Sequence, residues 1–532
     1  MKKTGQSYKQ VLNLDTNFDG IVIGSGIGGL CAAALLAKEG KKILLLEQHY
    51  VVGGFTHVFQ RKDYEWDVGL HYIGGVDSPK SVLRKTFDYI SNKQLAWASM
   101  DDVYDKAVFG DKEYAFCKGK DNFKTQLKTY FTDPKDQQAI DQYFALLTEV
   151  ENVGIGYYAE KILPSFIANI AGSLLRRGVM KYADQTTRAV LSKITDNEAL
   201  IGVLTTQYGD YGLPPAQSSF FMHAMVANHY MDGGAYPVGG PSSIAHSIAA
   251  VIEANGGLVL HSAEVKAIVV EKNTAIGVQM DDGKTIHAPL IISDAGIKNT
   301  FLHLLDANIQ QNHHLADKIE PLTPSVAHVC LYIGLKKSAK DLGLPKCNYW
   351  VFPSNYNHDE NIANYRQPSD PLPVSYISFP SAKDPEWESR YPNKSTIEVI
   401  TLAPYEWFKT WENEPWKKRG DDYEAFKEQI AQQLLQSLYQ IMPHLNGQID
   451  YYELSTPLST RKFDHNDSGE IYGLAHSPQR FKQRVLRPTT PIKNLYLTGQ
   501  DVLSAGIGGA LMGGVICVSA ILGKNMLSRV SK

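Results

Sequence analysis

The chain has 532 residues, of which 43% are hydrophobic and 20% charged, and its formal net charge is −3. This length predicts a large buried core and two domains. The near-neutral charge argues against nucleic acid as a partner, because no basic stripe is available to neutralise phosphates. Five scattered cysteines without a CxxC pair predict a reducing compartment and no metal centre. The first residues lack the apolar segment of a signal peptide, so we expect a cytoplasmic location.

The first predicted element is a buried strand over residues 18–23, which runs into a glycine-rich turn and a helix of small residues. The turn matches the GxGxxG pattern of dinucleotide-binding folds. Gly24 would permit the tight turn, Gly26 would let pyrophosphate approach the backbone, and Gly29 would allow close packing of helix on strand. The positive end of the helix suits phosphate charge. The expected cofactor contacts in this turn are Gly24, Gly26, Ile27, Gly28 and Gly29.

A second strand over residues 42–46 ends at Glu47, about twenty residues after the glycine turn. An acid in this position accepts hydrogen bonds from an adenosine ribose. Gln48 follows directly, and a further glycine pair, Gly53-Gly54, lies just downstream. Strand, glycine turn, helix and acid in this order predict a dinucleotide cofactor. Glu47, Gln48, Gly53 and Gly54 would help to bind it.

Two uncharged stretches, residues 20–37 and 502–523, are long enough to suggest membrane spans. The first is the strand, turn and helix already described. The second follows residues 495–501, which resemble a buried strand running into a polar turn, and it is rich in glycine. A strand that leads into a glycine-rich helix start is typical of a cofactor cradle. We therefore predict that neither stretch crosses a membrane.

The middle of the chain predicts a return to the first domain. A helix to residue 254 precedes short strands at 257–260, 265–270, 275–280 and 290–293, with a hairpin signal at Asp281-Asp282-Gly283. The nucleotide-binding domain would then be assembled from residues 1–95, 235–305 and 456–532. Residues 96–234 and 306–455 would form a second, substrate-covering domain.

Residues 161–183 contain no acid, and Leu163, Phe166, Ile167, Ile170 and Leu174 recur there at helical spacing. A basic amphipathic helix of this kind can lie in a membrane surface, which would make the protein peripheral to a membrane. The other interpretation, which we favour from the sequence, is a helix that faces the core and exposes its basic side.

Several sequence blocks, spread over most of the chain, resemble the sequences of one group of proteins. They are 46–49, 67–75, 210–215, 231–240 and 497–501, together with the glycine-rich ending 506–514. With these blocks the chain resembles the phytoene-desaturase-like flavoproteins, in particular the branch that contains retinol saturase and the carotenoid cis–trans isomerases. It departs from many members of the wider superfamily at Val51-Val52, where they carry an arginine, which leaves local pyrophosphate contacts open.

The resemblance implies an α/β fold with a discontinuous, Rossmann-like FAD-binding domain of the glutathione-reductase type and a second α+β substrate domain. It implies FAD rather than NAD as the cofactor. By the same resemblance, Gly499 and Asp501 would lie at the ribityl or pyrophosphate region, and Gly508 and Gly509 at the pyrimidine end of the flavin. Backbone atoms of Val265 would contact adenine.

Proteins similar to this one act on long polyene lipids by saturating, introducing or isomerising a double bond. The likeness to retinol saturase favours saturation, with isomerisation or desaturation by the same flavin as alternatives. His71 is our candidate for proton transfer, because histidine titrates near neutral pH; an equally open interpretation is that it holds its turn through the backbone. Tyr472 is a weaker candidate, with packing as its alternative role.

The electron source is predicted from a missing motif. Residues 154–159 imitate a second GxGxxG, but no strand is predicted before them. We therefore expect an external electron donor, or transient access of a reduced nicotinamide to the flavin.

Three other classes remain open from the sequence. A prenyl-protein escort factor would share the fold without redox chemistry, although it would not need the glycine-rich ending. An amine oxidase would need an aromatic cage, for which Trp407, Trp411 and Trp416 are available, in surroundings typical of a solvated helix. A fatty-acid hydratase would also use FAD.

Overall fold

The strands of the computed structural model belong to five sheets. The structure describes residues 4–11, 17–163 and 165–531. In this part of the chain the strands are β1 (Gln6–Ser7), β2 (Gly20–Ile23), β3 (Ile43–Leu46), β4 (Val58–Arg61), β5 (Tyr64–Asp67), β6 (Ile73–Gly74), β7 (Trp97–Ser99), β8 (Val103–Phe109), β9 (Lys112–Cys117), β10 (Gly234–Pro237), β11 (Leu258–His261), β12 (Val265–Glu271), β13 (Thr274–Met280), β14 (Thr285–His287), β15 (Ile291–Ser293), β16 (His328–Leu335), β17 (Asn348–Phe352), β18 (Ser375–Ser378), β19 (Ser395–Leu402), β20 (Ile449–Ser455) and β21 (Leu495–Leu497).

Helices pack against the two largest sheets. They are α1 (Ile27–Lys38), α2 (Val82–Ile90), α3 (Lys120–Tyr130), α4 (Pro134–Ile162), α5 (Ser165–Ala183), α6 (Thr187–Leu191), α7 (Glu198–Leu204), α8 (Phe220–His229), α9 (Ser242–Ala254), α10 (Ala307–Asn312), α11 (Leu315–Ile319), α12 (His358–Asn364), α13 (Pro380–Lys383), α14 (Trp387–Arg390), α15 (Asp421–Ile441), α16 (Pro457–Asp464), α17 (Pro478–Lys482), α18 (Gly506–Leu522) and α19 (Met526–Val530). Short 3₁₀ turns include Thr206–Asp210 and Tyr405–Trp411.

A six-stranded parallel sheet has the order β1-β11-β3-β2-β15-β21. Every residue of β2, β3 and β15 is buried, as expected for parallel strands covered on both faces. Helices α1, α9 and α18 pack together on one face, and the antiparallel meander β12-β13-β14 belongs to the core on the other. Three distant parts of the chain therefore supply one sheet, and the predicted α/β fold class is confirmed.

A seven-stranded sheet has the order β20-β16-β19-β18-β17-β8-β9 and is antiparallel except between β17 and β8. Apolar residues of α15 pack on one side of it. A helical layer built from α3 to α8 forms a separate core with aromatic residues of β8, β9 and β17. The domain boundaries given above stay a prediction.

The glycine turn allows α1 to lie against its neighbours with no room for side chains. Gly24 has φ +93°, a conformation that favours glycine. A β-carbon on Gly29 would lie 2.3 Å from the Gly24 carbonyl oxygen, and one on Gly28 would lie 2.5 Å from the Gly499 α-carbon. The role predicted for Gly29, close packing of helix on strand, agrees with this geometry.

Two expectations about helices agree with the structure. Residues 154–159 lie inside α4, so no strand precedes that glycine motif. Residues 20–37 form β2, the turn and most of α1, and α18 takes up most of 502–523. Across the described ranges, no helix combines the length and apolar character needed to cross a membrane.

The segment 161–183 differs from the interpretation we favoured. Ile170 and Leu174 on α5 are 83% and 74% exposed, whereas the basic residues Lys161 and Arg176 are buried and donate to the carbonyl oxygens of Leu486 and Phe481. The apolar stripe therefore faces outward. Lys161 and Arg176 face inward instead, because they donate hydrogen bonds to buried backbone carbonyl groups. Pro164 and the side chain of Phe166 lie outside the described residues.

Gly29→Ala is expected to destabilise the fold by about 1–3 kcal/mol, because its methyl group would collide with the backbone of Gly24. Urea unfolding measures this change. Gly154→Ala in α4 is the control: its β-carbon would meet only the Tyr158 ring, at 3.4 Å, and alanine should add up to about 1 kcal/mol in a helix. Equal stabilities of the Gly29→Ala variant and the parent would contradict the close packing.

Candidate active site

A cavity of about 780 Å³ begins at the carboxyl edge of the six-stranded sheet. The last residues of β2 and β3, Ile23 and Leu46, line it, as does Asp294 directly after β15. In open parallel sheets, ligands bind outside the carboxyl ends of the strands. The cavity continues without interruption to residues of the helical layer and the seven-stranded sheet, such as Met222 and Ile400.

Most of the predicted site residues line this one cavity. They are Gly24, Gly26, Ile27, Gly28, Glu47, Gln48, Gly53, Gly54, His71, Val265, Asp501, Gly508 and Gly509. Gly29 and Gly499 lie behind the lining. Gly499 has φ +86°, and a β-carbon there would lie 2.3 Å from Asp294 Oδ1, so its backbone packs closely against that carboxyl group. The individual cofactor contacts stay predictions.

Two helices begin at the cavity without a side-chain cap. Neither α1, which follows Gly26, nor α18, which follows Ala505, has an acid in its first turn. Residues of both first turns, including Gly28 and Gly508, line the cavity. Free helix N-termini attract anions. One can receive a pyrophosphate and the other the negative charge of a reduced flavin, so the residues present fit FAD.

Glu47 connects the glycine turn to the second glycine pair. Its Oε2 accepts hydrogen bonds from Ser25 N at 2.9 Å and Ser25 Oγ at 2.5 Å, and its Oε1 accepts one from His49 N at 2.7 Å. Ser25 Oγ in turn accepts from Gly53 N at 2.9 Å. Burial raises the pKa of Glu47, although these donors oppose the shift. Ribose binding by Glu47 stays a prediction.

Asp294 is a site residue that we did not predict from the sequence. It follows β15 as Glu47 follows β3, and its carboxyl packs against the backbone of Gly26, Gly28 and Gly499. Burial, with Glu47 and Asp501 nearby, raises the pKa of Asp294 to about 8. Its neutral form is therefore favoured near pH 7, which reduces the negative charge beside the glycine turn. The available sequence signal was an acid at the end of a buried strand.

Asp501 holds two loops together beside the cavity. Its Oδ2 accepts from Ile297 N at 2.9 Å, and its Oδ1 accepts from Leu474 N at 3.2 Å. The buried Arg480 donates to the carbonyl oxygens of Gln500 and Asp501, at 2.8 and 3.1 Å. These bonds fix the chain between β21 and α18, where the flavin is expected.

One end of the cavity, which we call the aromatic end, is lined by aromatic rings. Tyr72 stacks on Tyr230 with ring centroids 4.3 Å apart and an interplanar angle of 11°. The Tyr376 ring also stacks on Tyr72, with centroids 6.2 Å apart, and Trp350 and Tyr472 also line this end. Flat aromatic walls suit a flat, conjugated and apolar chain.

His71 lies in the cavity wall with its Nδ1 2.7 Å from Glu398 Oε2. Burial, assisted by the positive charge of Lys383, lowers the pKa of His71 to about 3. The imidazole is therefore neutral near pH 7 and cannot serve as a cationic acid there. Its catalytic role stays a prediction. Ligand-type atoms of Asp67, His71 and Glu398 lie within 4.8 Å of one another, and the absence of a metal centre also stays a prediction.

The tryptophans considered for an amine-oxidase cage lie elsewhere. Trp411 donates from Nε1 to Asp422 at 2.9 Å and packs 5.4 Å from Phe426 of α15. Neither it nor Trp407 or Trp416 lines the cavity. These three tryptophans therefore cannot supply the aromatic cage that an amine oxidase needs to bind its amine substrate.

Fold and site define an FAD-dependent oxidoreductase with a continuous cofactor and substrate cavity. The chain belongs to the family described as flavin containing amine oxidoreductase, whose model matches residues 27–522. It is 38% identical to the all-trans-retinol 13,14-reductase of Danio rerio, over 96% of this chain and 87% of that protein. It is 25% identical to the prolycopene isomerase of Arabidopsis thaliana, over 96% and 84%. The resemblance drawn from the sequence is confirmed, as is FAD as the cofactor.

The fold also matches a solved structure. An oxidoreductase from Methanosarcina mazei superposes with a TM-score of 0.61 at 17% identity, covering 95% of this chain and all of that one. At this identity the match supports the fold alone.

Gly508→Val is expected to weaken FAD binding by about 10- to 100-fold, because added methyl groups at the start of α18 would occupy the cavity at a cost of about 1–3 kcal/mol. The fold should tolerate the change, since a β-carbon there meets only the side chains of Leu83 and His229, at 3.3 Å or more. Flavin absorbance per protein measures the effect.

The control for this variant is Ala520→Val, which enlarges the same helix outside the cavity lining and should retain flavin. Full flavin occupancy in Gly508→Val, at limiting FAD, would contradict the placement of the cofactor at α18.

Proposed function

We propose that this enzyme saturates one carbon–carbon double bond of a retinoid-like polyene. The observation that carries the proposal is the single cavity, which joins two uncapped helix N-termini to an aromatic, apolar end. Bound reduced FAD supplies a hydride. The chain itself supplies orientation along the aromatic walls, exclusion of water and a proton.

Similarity to named proteins supports saturation over the related reactions. The relative named all-trans-retinol 13,14-reductase is 38% identical, and the one named prolycopene isomerase is 25% identical. Isomerisation by the same flavin is the second candidate, because it needs the same cavity and no net redox change. Hydration of a fatty acid has less support, since one end of the cavity is lined by aromatic rings.

The decisive experiment is anaerobic incubation of the flavin-reduced protein with all-trans retinoids, carotenoids and unsaturated fatty acids, analysed by mass spectrometry. We expect a retinoid product heavier by two hydrogen atoms, formed in step with flavin reoxidation. An isobaric product with changed retention would replace saturation by isomerisation, and a gain of water would replace it by hydration.

Flavin absorbance under the same anaerobic conditions tests the electron donor, which we propose to be a separate protein or a transiently bound nicotinamide. This proposal is supported by the glycine motif at 154–159, which lies within α4 rather than after a strand. NADPH alone should bleach the flavin slowly and without saturation. Fast, saturable bleaching would assign a nicotinamide site to this chain instead.

We propose in addition that α5 contacts a membrane surface, from which an apolar substrate would reach the cavity. Its exposed residues follow helical spacing: Ile167, Ile170, Leu174, Arg177 and Lys181. The apolar residues of this stripe can enter the lipid interface, while Arg177 and Lys181 can contact anionic headgroups. Ile162, at the end of the packed helix α4, lines the cavity, so the distance from lipid to cavity would be short.

A double variant, Ile170→Glu with Leu174→Glu, should lower binding to vesicles of phosphatidylcholine and phosphatidylserine at least about tenfold, because each buried aliphatic side chain contributes about 1.5–3 kcal/mol. Co-sedimentation measures the bound fraction. Val82→Glu, which changes another exposed aliphatic residue, on α2, is the control. Unchanged sedimentation of the double variant would refute the membrane contact.

A further inference from the structure

One sequence block of the family likeness, residues 210–215, has no role in the site as described so far. It begins with Asp210, the last residue of the 3₁₀ turn Thr206–Asp210. Asp210 is partly buried and lines the aromatic end of the cavity. Among the residues that the structure describes, its hydrogen-bond partner is the Tyr72 hydroxyl, with Oδ2 at 3.1 Å.

The Tyr72 hydroxyl lies between two carboxyl groups. It is 2.9 Å from Asp105 Oδ2 and 3.1 Å from Asp210 Oδ2. A phenol carries one proton and can donate it to one oxygen only. The second contact therefore needs a proton from the other carboxyl group, which must then be a neutral acid.

Asp105 is the carboxyl group that remains ionised. Its Oδ1 accepts from Asn348 Nδ2 at 2.8 Å, and its Oδ2 accepts from Gln207 Nε2 at 2.9 Å and from Trp350 Nε1 at 3.2 Å. All three are N–H donors, which favour a carboxylate. Burial raises the pKa of Asp105 to about 6, still below neutrality. Tyr72 thus donates to Asp105, and the proton of the other contact belongs to Asp210.

We propose that Asp210 is the catalytic acid that delivers the proton to the substrate carbon. This inference rests on the proposed saturation. The Asp210 O–H bond breaks, its proton forms a C–H bond with the π electron pair, and the neighbouring carbon takes a hydride from reduced flavin, the two-electron reductant. One double bond thus becomes a single bond with two new C–H bonds, and the Asp210 carboxylate regains its proton from water.

The surroundings of Asp210 support this role. Burial and the negative charge of Asp105 raise the pKa of Asp210 well above its usual range, which favours the protonated acid. Tyr230, Tyr376 and Tyr472 also line this end of the cavity, and aromatic faces stabilise a carbon skeleton that becomes cationic on protonation. Tyr72 acts through Asp210 and is a positioning residue.

The other candidates are weaker acids at neutral pH. The imidazole of His71 is already neutral, because burial lowers its pKa to about 3. Burial raises the pKa of the Tyr472 phenol well above its ordinary value. A neutral carboxylic acid gives up a proton more readily than either group.

Infrared spectroscopy tests the protonation state without turnover. With ¹³C-labelled aspartate, the difference spectrum of the FAD-bound parent minus Asp210→Asn should contain a protonated-carboxyl band that shifts in D₂O. A carboxylate band in its place would overturn the proposal. Should Asp210→Asn not fold, Tyr72→Phe serves instead: the same band must remain and move, because its hydrogen-bond acceptor is gone, and an unmoved spectrum would count against the proposal.

Turnover tests the delivery step. Asp210→Asn should lower kcat for saturation about 10²- to 10⁴-fold while flavin content and retinoid affinity stay within about twofold, and Asp210→Glu should recover part of the rate. Asp136→Asn is the matched control, since Asp136 lies on α4 outside the cavity lining and bonds Asn197. Full activity of Asp210→Asn would refute the assignment.

The two proposals fail in different ways. If the parent protein saturates no retinoid, the proposed function fails, while the infrared result still decides whether Asp210 carries a proton. If the parent saturates retinoids and Asp210→Asn does so equally fast, only the assignment of the acid fails.

Discussion

The fold depends on the contact of bare backbone with bare backbone around the first turn of α1. Gly28 meets the α-carbon of Gly499, and Gly29 meets the carbonyl of Gly24, at distances that exclude a side chain. This approach brings β21 and the start of α18 beside the glycine turn, although more than 450 residues separate them in sequence. Two helix N-termini therefore open onto one cavity. Without this backbone contact, each half of the predicted cofactor site would be incomplete.

Buried carboxyl groups then organise the loops around this contact. Removing a carboxylate from water is costly unless hydrogen bonds compensate. Glu47 and Asp501 receive that compensation from backbone N–H groups, which fixes the loops that carry them. Asp294 has less compensation and becomes largely neutral. Among the described residues, Asp210 is likewise left without a donor to its carboxylate, because its phenol partner Tyr72 donates to Asp105. The proton of Asp210 therefore remains available at the cavity wall.

The sequence predicted the features that local pattern determines. The strand, glycine turn and helix at residues 20–38, the acid at Glu47 and the helix of the glycine-rich ending each follow from a few adjacent residues. Asp294 was missed because its place depends on β15 pairing beside β2. The charge state of Asp210 depends on Asp105, whose donors come from distant segments. The outward face of α5 was misjudged because the burial of Lys161 and Arg176 is decided by carbonyl groups over 300 residues away.

Saturation and isomerisation of a polyene can be distinguished by the fate of one proton. Both use the same apolar walls and the same reduced cofactor, and both can begin with protonation of the chain. An isomerase must take the proton back, whereas a saturase must leave it on the product. In this protein the Asp210 carboxylate would stand near the ionised Asp105 with Tyr72 as its one described partner, a poorly compensated anion. Such an anion is a strong base, so saturation requires that a hydride from the bound reduced flavin reaches the neighbouring carbon before Asp210 recovers the proton.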